Sequence, residues 1–312
     1  MGAVLKTPVA QLPETLAVTP LAAPFDAAIR PPGSKSLTNR ALLLAALADG
    51  ESTLHEALRD GEDAARMISA LTQLGARIVS DAGGALRITG VGGTWKTPPE
   101  GTVLDLHNAG TATRFLAGAA LLSPAPITLD GNARMRERPI GELGYILTAL
   151  GCGVSYLGKQ GCPPVRITPP APGSRPPGVI DVPTTQSSQF ISALLLVGPW
   201  LPGGITLRLT GEVTSASYIA MTLGLLARLS AQVRTSEDLR VLRVSAPTPP
   251  GETPPRLGLR GFQYTVEPDA SGASYFWAAA AMIPKARCRV LGLGDDSLQG
   301  DSKFPEVLAL MG

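Results

Sequence analysis

One pattern recurs along the chain: a short cluster of small polar residues is followed by a long apolar run that fits a helix. The five clusters begin at Gly33, His107, Thr185, Thr214 and Glu267. Between them lie short strand-like pieces such as "ALRITG", "PITLDG", "PVRITP" and "ITLRLTG", which are ended by Gly or Pro. The spacing from Ser34 to Asn108 to Ser187 is about 75 to 80 residues, which predicts an internal repeat of mixed α/β units.

The repeat predicts one α/β domain over residues 34–253 of the 312-residue chain. The stretch "SAPTPPGETPPRLG" (245–258) is rich in proline and polar residues, so we interpret it as a hinge. A second, shorter region follows it and ends in the helical segment "FPEVLALMG".

Composition excludes several classes of function. A formal net charge of +2 and an aromatic content of 4% argue against nucleic-acid binding through bulk charge or base stacking. Three cysteines without a CxxC pair fit reduced thiols, and the two histidines lack metal-ligand spacing. Neither a signal peptide nor an apolar run long enough to span a membrane is recognisable, so we expect a cytoplasmic protein.

The polar clusters carry groups that a helix cap does not need. Ser, Thr, Asn and Asp are ordinary N-caps, and capping alone explains any single cluster. The additional groups are Lys35 and Arg40 in the first cluster, Asn108, Thr111 and Arg114 in the second, Ser187, Ser188 and Gln189 in the third, and Ser215 and Tyr218 in the fourth. Free helix N-terminal amides beside Lys or Arg bind anions, so converging clusters would suit a substrate with carboxylate and phosphate groups.

A nucleotide-binding P-loop is excluded, because "GSKS" lacks the second Gly five residues before a Gly-Lys pair. The segment "GNARMRERPIGEL" holds Arg134, Arg136 and Arg138, either as a solvated basic loop or as guanidiniums aimed at carboxylate or phosphate. Asp269 and Asp301 each precede a helical segment, and taken alone each is explained as a cap.

Seven segments together carry a family resemblance. They are "PPGSKSLTNR", "NAGTATR", "RMRERPIGEL", "SSQF", "SASY", "EPDASGASYF" and "LQGDSKF", and they cover the chain from about residue 24 to its end. In this order they closely resemble the 5-enolpyruvylshikimate-3-phosphate (EPSP) synthase family of enolpyruvyl transferases. The resemblance implies an α/β (α+β) fold of two domains, each made of βαβαββ units about a pseudo-threefold axis, with the active site between them. Residues 1–33 and 254–312 would form the second domain, incomplete here.

The resemblance also implies a reaction: transfer of the enolpyruvyl group from phosphoenolpyruvate to the 5-hydroxyl of shikimate 3-phosphate, releasing phosphate. No metal or organic cofactor is implied. The expected partners are these two small molecules, with no nucleic acid and no membrane, and we expect a monomer.

Residue roles follow from motif positions in the resemblance. Lys35 and Asp301 would be catalytic, Lys35 assisting proton transfer and Asp301 acting as general base at the shikimate hydroxyls. Shikimate 3-phosphate would be held by Lys35, Ser36, Arg40, Ser187, Ser188, Gln189, Ser215, Tyr218 and Asp301. Phosphoenolpyruvate would be held by Lys35, Asn108, Gly110, Arg138 and Gln189.

The chain departs from the family pattern in two ways. Phe115 follows Arg114 where many members carry Pro. The later family motifs, which supply a catalytic Glu and several cations for phosphoenolpyruvate, have no counterpart in the 312 residues.

These departures leave alternatives open. The chain is either a fragment or a degenerate protein, and one hypothesis is a truncated, catalytically impaired chain that only binds shikimate 3-phosphate. The sister transferase acting on a UDP-linked amino sugar is disfavoured, because Cys152 and Cys162 lack the context of its reactive loop cysteine.

Overall fold

The computed structural model describes residues 14–15, 17, 20–21, 23–171, 173–174, 178–247 and 256–312. Its helices are α1 (Lys35–Leu47), α2 (Glu62–Gln73), α3 (Gly110–Ala119), α4 (Gly141–Ala149), α5 (Ser188–Val197), α6 (Ala216–Arg228), α7 (Ala270–Met282) and α8 (Phe304–Leu310). Its strands are β1 (Asp26–Ile29), β2 (Glu51–His55), β3 (Arg77–Ser80), β4 (Leu86–Thr89), β5 (Thr102–Asp105), β6 (Ile127–Asp130), β7 (Gly153–Tyr156), β8 (Val165–Thr168), β9 (Ile180–Val182), β10 (Ile205–Leu209), β11 (Gln232–Thr235), β12 (Val241–Ser245), β13 (Gln263–Thr265) and β14 (Arg287–Val290).

Three four-stranded sheets share one topology. Their orders are β5-β6-β8-β7, β9-β10-β12-β11 and β13-β2-β4-β3. In each sheet the first two strands are parallel, and the last two form an antiparallel hairpin that pairs with the second strand. Each sheet is therefore the strand layer of a βαβαββ unit, which confirms the repeat predicted from the spacing of the polar clusters.

The first unit takes its first strand from the far end of the domain. β13 runs parallel to β2, with Gln263 opposite Thr53 and Thr265 opposite His55. This pairing favours an end of the complete domain beyond β13, whereas the sequence analysis places that end at residue 253. The division into 34–253 and 1–33 plus 254–312 otherwise stays a prediction, and residues 248–255 of the predicted hinge lie outside the described residues.

The inner helices of the three units are buried on every side. α1, α3 and α5 contact one another, and almost all of their residues are buried. Sequences such as "RALLLAAL" and "SALLLV" explain this arrangement, because a helix without a polar face is stable only when neighbours surround it. The outer helix α2 is different, since it buries one face through Ala64, Met67, Ala70 and Leu71.

The second region repeats the first half of a unit. β1 and β14 pair in parallel, although all elements from α1 to β13 lie between them in sequence; α7 directly precedes β14, and α8 follows it. α7 buries only Ala270 and Ala273, while Tyr275 is 79% exposed and Met282 is 77% exposed. The apolar side chains of this region are thus largely uncovered in the described residues.

Neither a membrane-spanning helix nor a metal-binding cluster emerges from the part of the chain that the structure describes. None of its helices is both long and apolar enough to cross a bilayer. No group of three or more His, Cys, Asp or Glu side chains there could hold a metal ion.

Close packing of α3 against α5 leads to a stability prediction. A Cβ on Gly118 would lie 2.6 Å from the Ala193 carbonyl oxygen, whereas a Cβ on Gly272 in α7 would meet only ordinary contacts at 3.6 Å or more. We expect Gly118→Ala to lower the free energy of unfolding by about 1–3 kcal/mol. Gly272→Ala should be neutral or stabilising by up to about 1 kcal/mol. Denaturant titration measures both, and an undiminished stability of Gly118→Ala would contradict this packing.

Thiol reactivity should follow burial. Cys152 and Cys162 are buried, and burial raises the pKa of Cys152 to about 12, so this thiol stays protonated at pH 8. Cys288 is only partly buried. We expect iodoacetamide at pH 8 to alkylate Cys288 at least roughly tenfold faster than Cys152, measured by peptide mass spectrometry. Denatured protein, in which all three should react, is the control. Equal native rates would refute the prediction.

Candidate active site

The starts of the six helices in the complete domain lie around one face and contact their neighbours. On one side of this face the Lys35 ammonium is 3.1 Å from the Asp63 carboxylate, which joins the start of α1 to that of α2. Glu62 of α2 contacts the imidazole of His107, which lies just before α3. The Asn108 backbone carbonyl then accepts a 3.1 Å hydrogen bond from Arg138, which lies in the segment that leads into α4.

On the other side of the face, contacts link the starts of α4, α5 and α6 and return to α1. The Gln186 amide, before α5, donates to Glu142 of α4 at 2.9 Å. The Thr214 hydroxyl, before α6, donates to the Thr185 carbonyl at 2.9 Å. Arg40 of α1 reaches the Tyr218 carbonyl in the first turn of α6. We call these contacting helix starts the helix-start ring; the amides and dipoles of helix N-termini favour bound anions.

The start of α1 holds Lys35 at the edge of the ring. Ser34 caps the helix by accepting from the Leu37 amide. The Lys35 side chain is 51% exposed, and the Lys35 backbone amide donates to Asp269 at 3.1 Å. Lys35 therefore meets two carboxylates, one through its side chain and one through its backbone.

Arg40 is buried, and its guanidinium donates hydrogen bonds to other groups of the protein. It donates to the Thr222 hydroxyl at 2.8 Å, the Ser36 carbonyl at 2.9 Å and the Ser192 hydroxyl at 3.3 Å. With its bond to Tyr218, it ties α1 to both α5 and α6. Burial lowers its pKa to about 10.

Phe115 supports this guanidinium. The Phe115 ring is fully buried, and its centroid lies 5.1 Å from Arg40 Cζ, within cation–π range. The residue that departs from the family pattern therefore packs against Arg40. The predicted role of Arg40 as a carboxylate ligand stays a prediction, beside this observed role as a tie between helices.

The start of α3 brings Asn108, Gly110 and Arg138 together. A Cβ on Gly110 would lie 2.4 Å from Arg138 Nη1, so only glycine lets this guanidinium lie against the helix start. The Asn108 side-chain oxygen is buried without a hydrogen-bond partner among the described residues. These three predicted ligands for phosphoenolpyruvate thus form one group.

Arg114 links this group to α5. It donates to Gln189 Oε1 at 3.0 Å, and Gln189 Nε2 donates to the Thr111 hydroxyl at 3.3 Å. Burial, followed by the nearby charge of Arg138, lowers the pKa of Arg114 to about 10. The sequence analysis includes Arg114 in the second polar cluster but does not predict it as a site residue. Its position one turn after Gly110 was the signal that could have indicated a role in the site.

The starts of α5 and α6 differ in geometry. Ser187 caps α5 by accepting from the Gln189 amide at 3.3 Å, and Ser188 is buried. Ser215 is exposed and adopts a left-handed backbone with φ of 52°. Because a non-glycine residue rarely adopts this conformation, Ser215 is a strained start to α6.

Asp301 reaches the ring from the second region. A small cavity is lined by Ser36 of α1, Tyr218 of α6, Ser271 of α7 and Asp301. The Asp301 carboxylate accepts a hydrogen bond from the Ser271 hydroxyl. The structure therefore joins Ser36, Tyr218 and Asp301 in one group, while Asn108, Gly110, Arg138 and Gln189 form the other.

The other arginines of the basic segment lie differently. Arg136 pairs with both carboxylate oxygens of Asp130, at 2.9 and 2.7 Å, and this pairing lowers the pKa of Asp130. Arg134 is exposed. Of the three guanidiniums in this segment, Arg138 is the one that contacts the start of α3.

The site residues that the sequence analysis did not assign are mostly acidic or hydroxylic partners. They are Glu62, Asp63, His107, Glu142, Thr185, Thr214 and Ser271. His107, Thr185 and Thr214 begin polar clusters in the sequence, whereas the roles of the others become apparent only from their contacts.

The fold and the ring together define a repeated α/β protein in which helix starts share one face. Residues 21–312 match the family model described as "EPSP synthase (3-phosphoshikimate 1-carboxyvinyltransferase)". The chain therefore belongs to the EPSP synthase family.

Curated relatives and solved structures agree with this membership. Proteins named 3-phosphoshikimate 1-carboxyvinyltransferase from Bordetella bronchiseptica and Methanoregula boonei are 43% and 39% identical over 288 residues. The alignments cover 90% and 92% of this chain and 61% and 64% of those relatives. EPSP synthase from Acinetobacter baumannii superposes with a TM-score of 0.72 at 26% identity, over 89% of this chain and 57% of that structure. The chain thus spans less than two thirds of the relatives' length.

The tie made by Arg40 can be tested through stability. Arg40→Lys keeps the charge but cannot reproduce the planar set of donors, so hydroxyl and carbonyl groups on α5 and α6 lose partners. We expect the free energy of unfolding to fall by about 1–3 kcal/mol. The exposed Arg134→Lys is the matched control and should stay within about 0.5 kcal/mol. Equal stabilities of the two variants in denaturant titrations would rule out this role.

Proposed function

We propose that the protein transfers the enolpyruvyl group of phosphoenolpyruvate to the 5-hydroxyl of shikimate 3-phosphate. The observation that carries the proposal is the helix-start ring, in which the residues expected from the family motifs meet on one anion-binding face. The names of relatives at about 40% identity support it. We further propose a cytoplasmic monomer that needs no nucleic-acid or membrane partner.

The reaction balances without a redox partner. The shikimate oxygen forms a bond to C2 of phosphoenolpyruvate, and the bond from C2 to the phosphate oxygen breaks. The hydroxyl proton leaves with the phosphate, and the carbon–carbon double bond is present again in the product. A general base at the hydroxyl and an acid at C3 are the groups that such an exchange requires.

Shikimate 3-phosphate fits the side of the ring formed by α1, α5 and α6. Ser187, Ser188 and Ser215 would bind its phosphate, beside Tyr218. Ser36 and Arg40 would hold its carboxylate, and Asp301 would orient its hydroxyls or accept a proton. The proximity of Ser36, Tyr218 and Asp301 supports this arrangement.

Phosphoenolpyruvate fits the side formed by the start of α3. Arg138 lies against Gly110 and Asn108, so a guanidinium and the start of α3 would meet one anion there. Gln189 contacts Thr111 on this side and follows Ser187 and Ser188 on the other, which suits its proposed contact with both substrates. Lys35 would complete the site at the reacting hydroxyl, at present paired with Asp63.

Ligand binding tests the proposal directly. We expect calorimetric titration to give at least tenfold tighter binding of shikimate 3-phosphate than of shikimate, because the serine hydroxyls and helix amides recognise the phosphate. Ser187→Ala should weaken binding of the phosphorylated ligand several-fold, whereas the exposed Ser69→Ala should not. Equal affinity for the two ligands would overturn the proposal.

Turnover is measured in the same samples. Adding phosphoenolpyruvate to the complex and following phosphate release separates a catalytic chain from one that only binds. Release that requires both substrates and is lost in Asp301→Asn supports enolpyruvyl transfer. Release that is independent of shikimate 3-phosphate would count against it.

A further inference from the structure

Residues 296–301 lie along α6 in the opposite direction to the helix. Arg228, the last residue of α6, donates to the Asp296 carbonyl. A Cβ on Gly224 would lie 2.5 Å from Leu298 Cδ2, and a Cβ on Gly300 would lie 2.7 Å from the Ser217 Cβ. The segment therefore follows α6 from its end to its start, and it delivers Asp301 beside the helix-start ring.

The Glu267 carboxylate anchors this segment. Its Oε1 accepts from Arg228 at 3.2 Å and from the Leu298 amide at 3.1 Å. Its Oε2 accepts from the Ser297 hydroxyl at 2.6 Å and from Gln299 Nε2 at 3.1 Å. The Glu267 side chain is only 13% exposed, so these four bonds are largely shielded from water.

Gln299 provides the second anchor, and it is 4% exposed. Besides its bond to Glu267, Nε2 donates to the Pro268 carbonyl at 2.7 Å, and Oε1 accepts from the Ala270 amide at 3.0 Å. Both ends of this side-chain amide are thus bonded to residues 267–270. An apolar residue in its place would leave buried backbone groups without partners.

The same short stretch, residues 267–271, also holds the start of α1. The Ser34 amide donates to the Glu267 carbonyl at 2.8 Å, and the Lys35 amide donates to Asp269 at 3.1 Å. Asp301 accepts from Ser271 in this stretch. Lys35 and Asp301, the two residues expected to be catalytic, are therefore both held by the same five residues.

We propose that Glu267 and Gln299 are positioning residues that fix Asp301 relative to Lys35. They act on the segment that carries Asp301, and Gln299 also lines the small cavity beside Ser36, Tyr218 and Asp301. Asp301 is exposed, and its hydrogen bond to Ser271 alone is a weak restraint, so the two buried anchors set its position. The catalytic meaning of this position rests on the proposed function.

Hydrogen exchange tests the restraint without any ligand. The Ser302 amide donates to the Gln299 carbonyl at 3.1 Å and reports on this segment. We expect Gln299→Leu and Glu267→Gln to accelerate exchange across residues 299–303 at least tenfold, with α3 and α5 unchanged. Gln73→Leu, at an exposed position of α2, is the control. Ser297→Ala removes a single bond to Glu267 and serves if the other variants do not fold. Unchanged exchange in the folded variants would overturn the proposal.

A double-mutant cycle tests whether the anchors act through Asp301. We expect Gln299→Leu to weaken binding of shikimate 3-phosphate at least fivefold in the chain that retains Asp301. In an Asp301→Asn background the same substitution should weaken binding less than twofold. Equal losses in both backgrounds would show that Gln299 does not act through Asp301. If the natural chain does not bind shikimate 3-phosphate, the proposed function fails, while hydrogen exchange still decides whether the restraint exists.

Discussion

The packing of α1, α3 and α5 against one another is the constraint on which the rest of the structure depends. These helices have no polar face, so each must be enclosed by the other two and by the sheets. Burying one leucine side chain contributes roughly 1.5–3 kcal/mol, so the enclosure has a strong driving force. Because the three units repeat one topology, enclosing their inner helices also brings the helix starts to one face. The common face of helix starts is thus a result of how the core is packed.

Charge is unevenly distributed around this face. At α1 and α2 the cation of Lys35 is offset by Asp63, and Glu62 contacts His107. At α3 the guanidiniums of Arg114 and Arg138 are near enough for one to lower the pKa of the other. Two guanidiniums thus lie close together at α3, whereas the exposed ammonium of Lys35 at α1 is paired with a carboxylate.

Much of the fold could be predicted from the sequence because its elements repeat. The polar clusters mark the starts of all three inner helices, and their spacing predicts the three units. The strand β13 could not be assigned in this way, since its partner β2 is distant in sequence and no local signal records the pairing. Its pairing with β2 favours a domain end beyond residue 253, and the exact boundary stays a prediction.

The site, too, could be predicted from the sequence only in part. Residue types at helix starts indicated anion binding, and the family motifs indicated which of those residues to expect. The contacts of Asp63, Glu142 and Ser271 could not be predicted, because a contact between distant elements leaves no pattern in one sequence. Arg40 illustrates the limit of sequence-based prediction most clearly. Its charge suggested a ligand-binding residue, whereas its burial against Phe115 shows that it also ties helices together.

The strand contributed by β13 has a consequence for folding. The Phe262 amide bonds to Ser52 across 210 residues of chain, so the first sheet cannot be completed until the whole domain has been synthesised. Closing so long a loop is slow and entropically costly, and contacts of this kind reduce folding rates. On the ribosome the second and third units can therefore assemble from local contacts, while the first waits with an open sheet edge at β2. Of the three four-stranded sheets, the one whose strands begin earliest in the chain is the last to be completed.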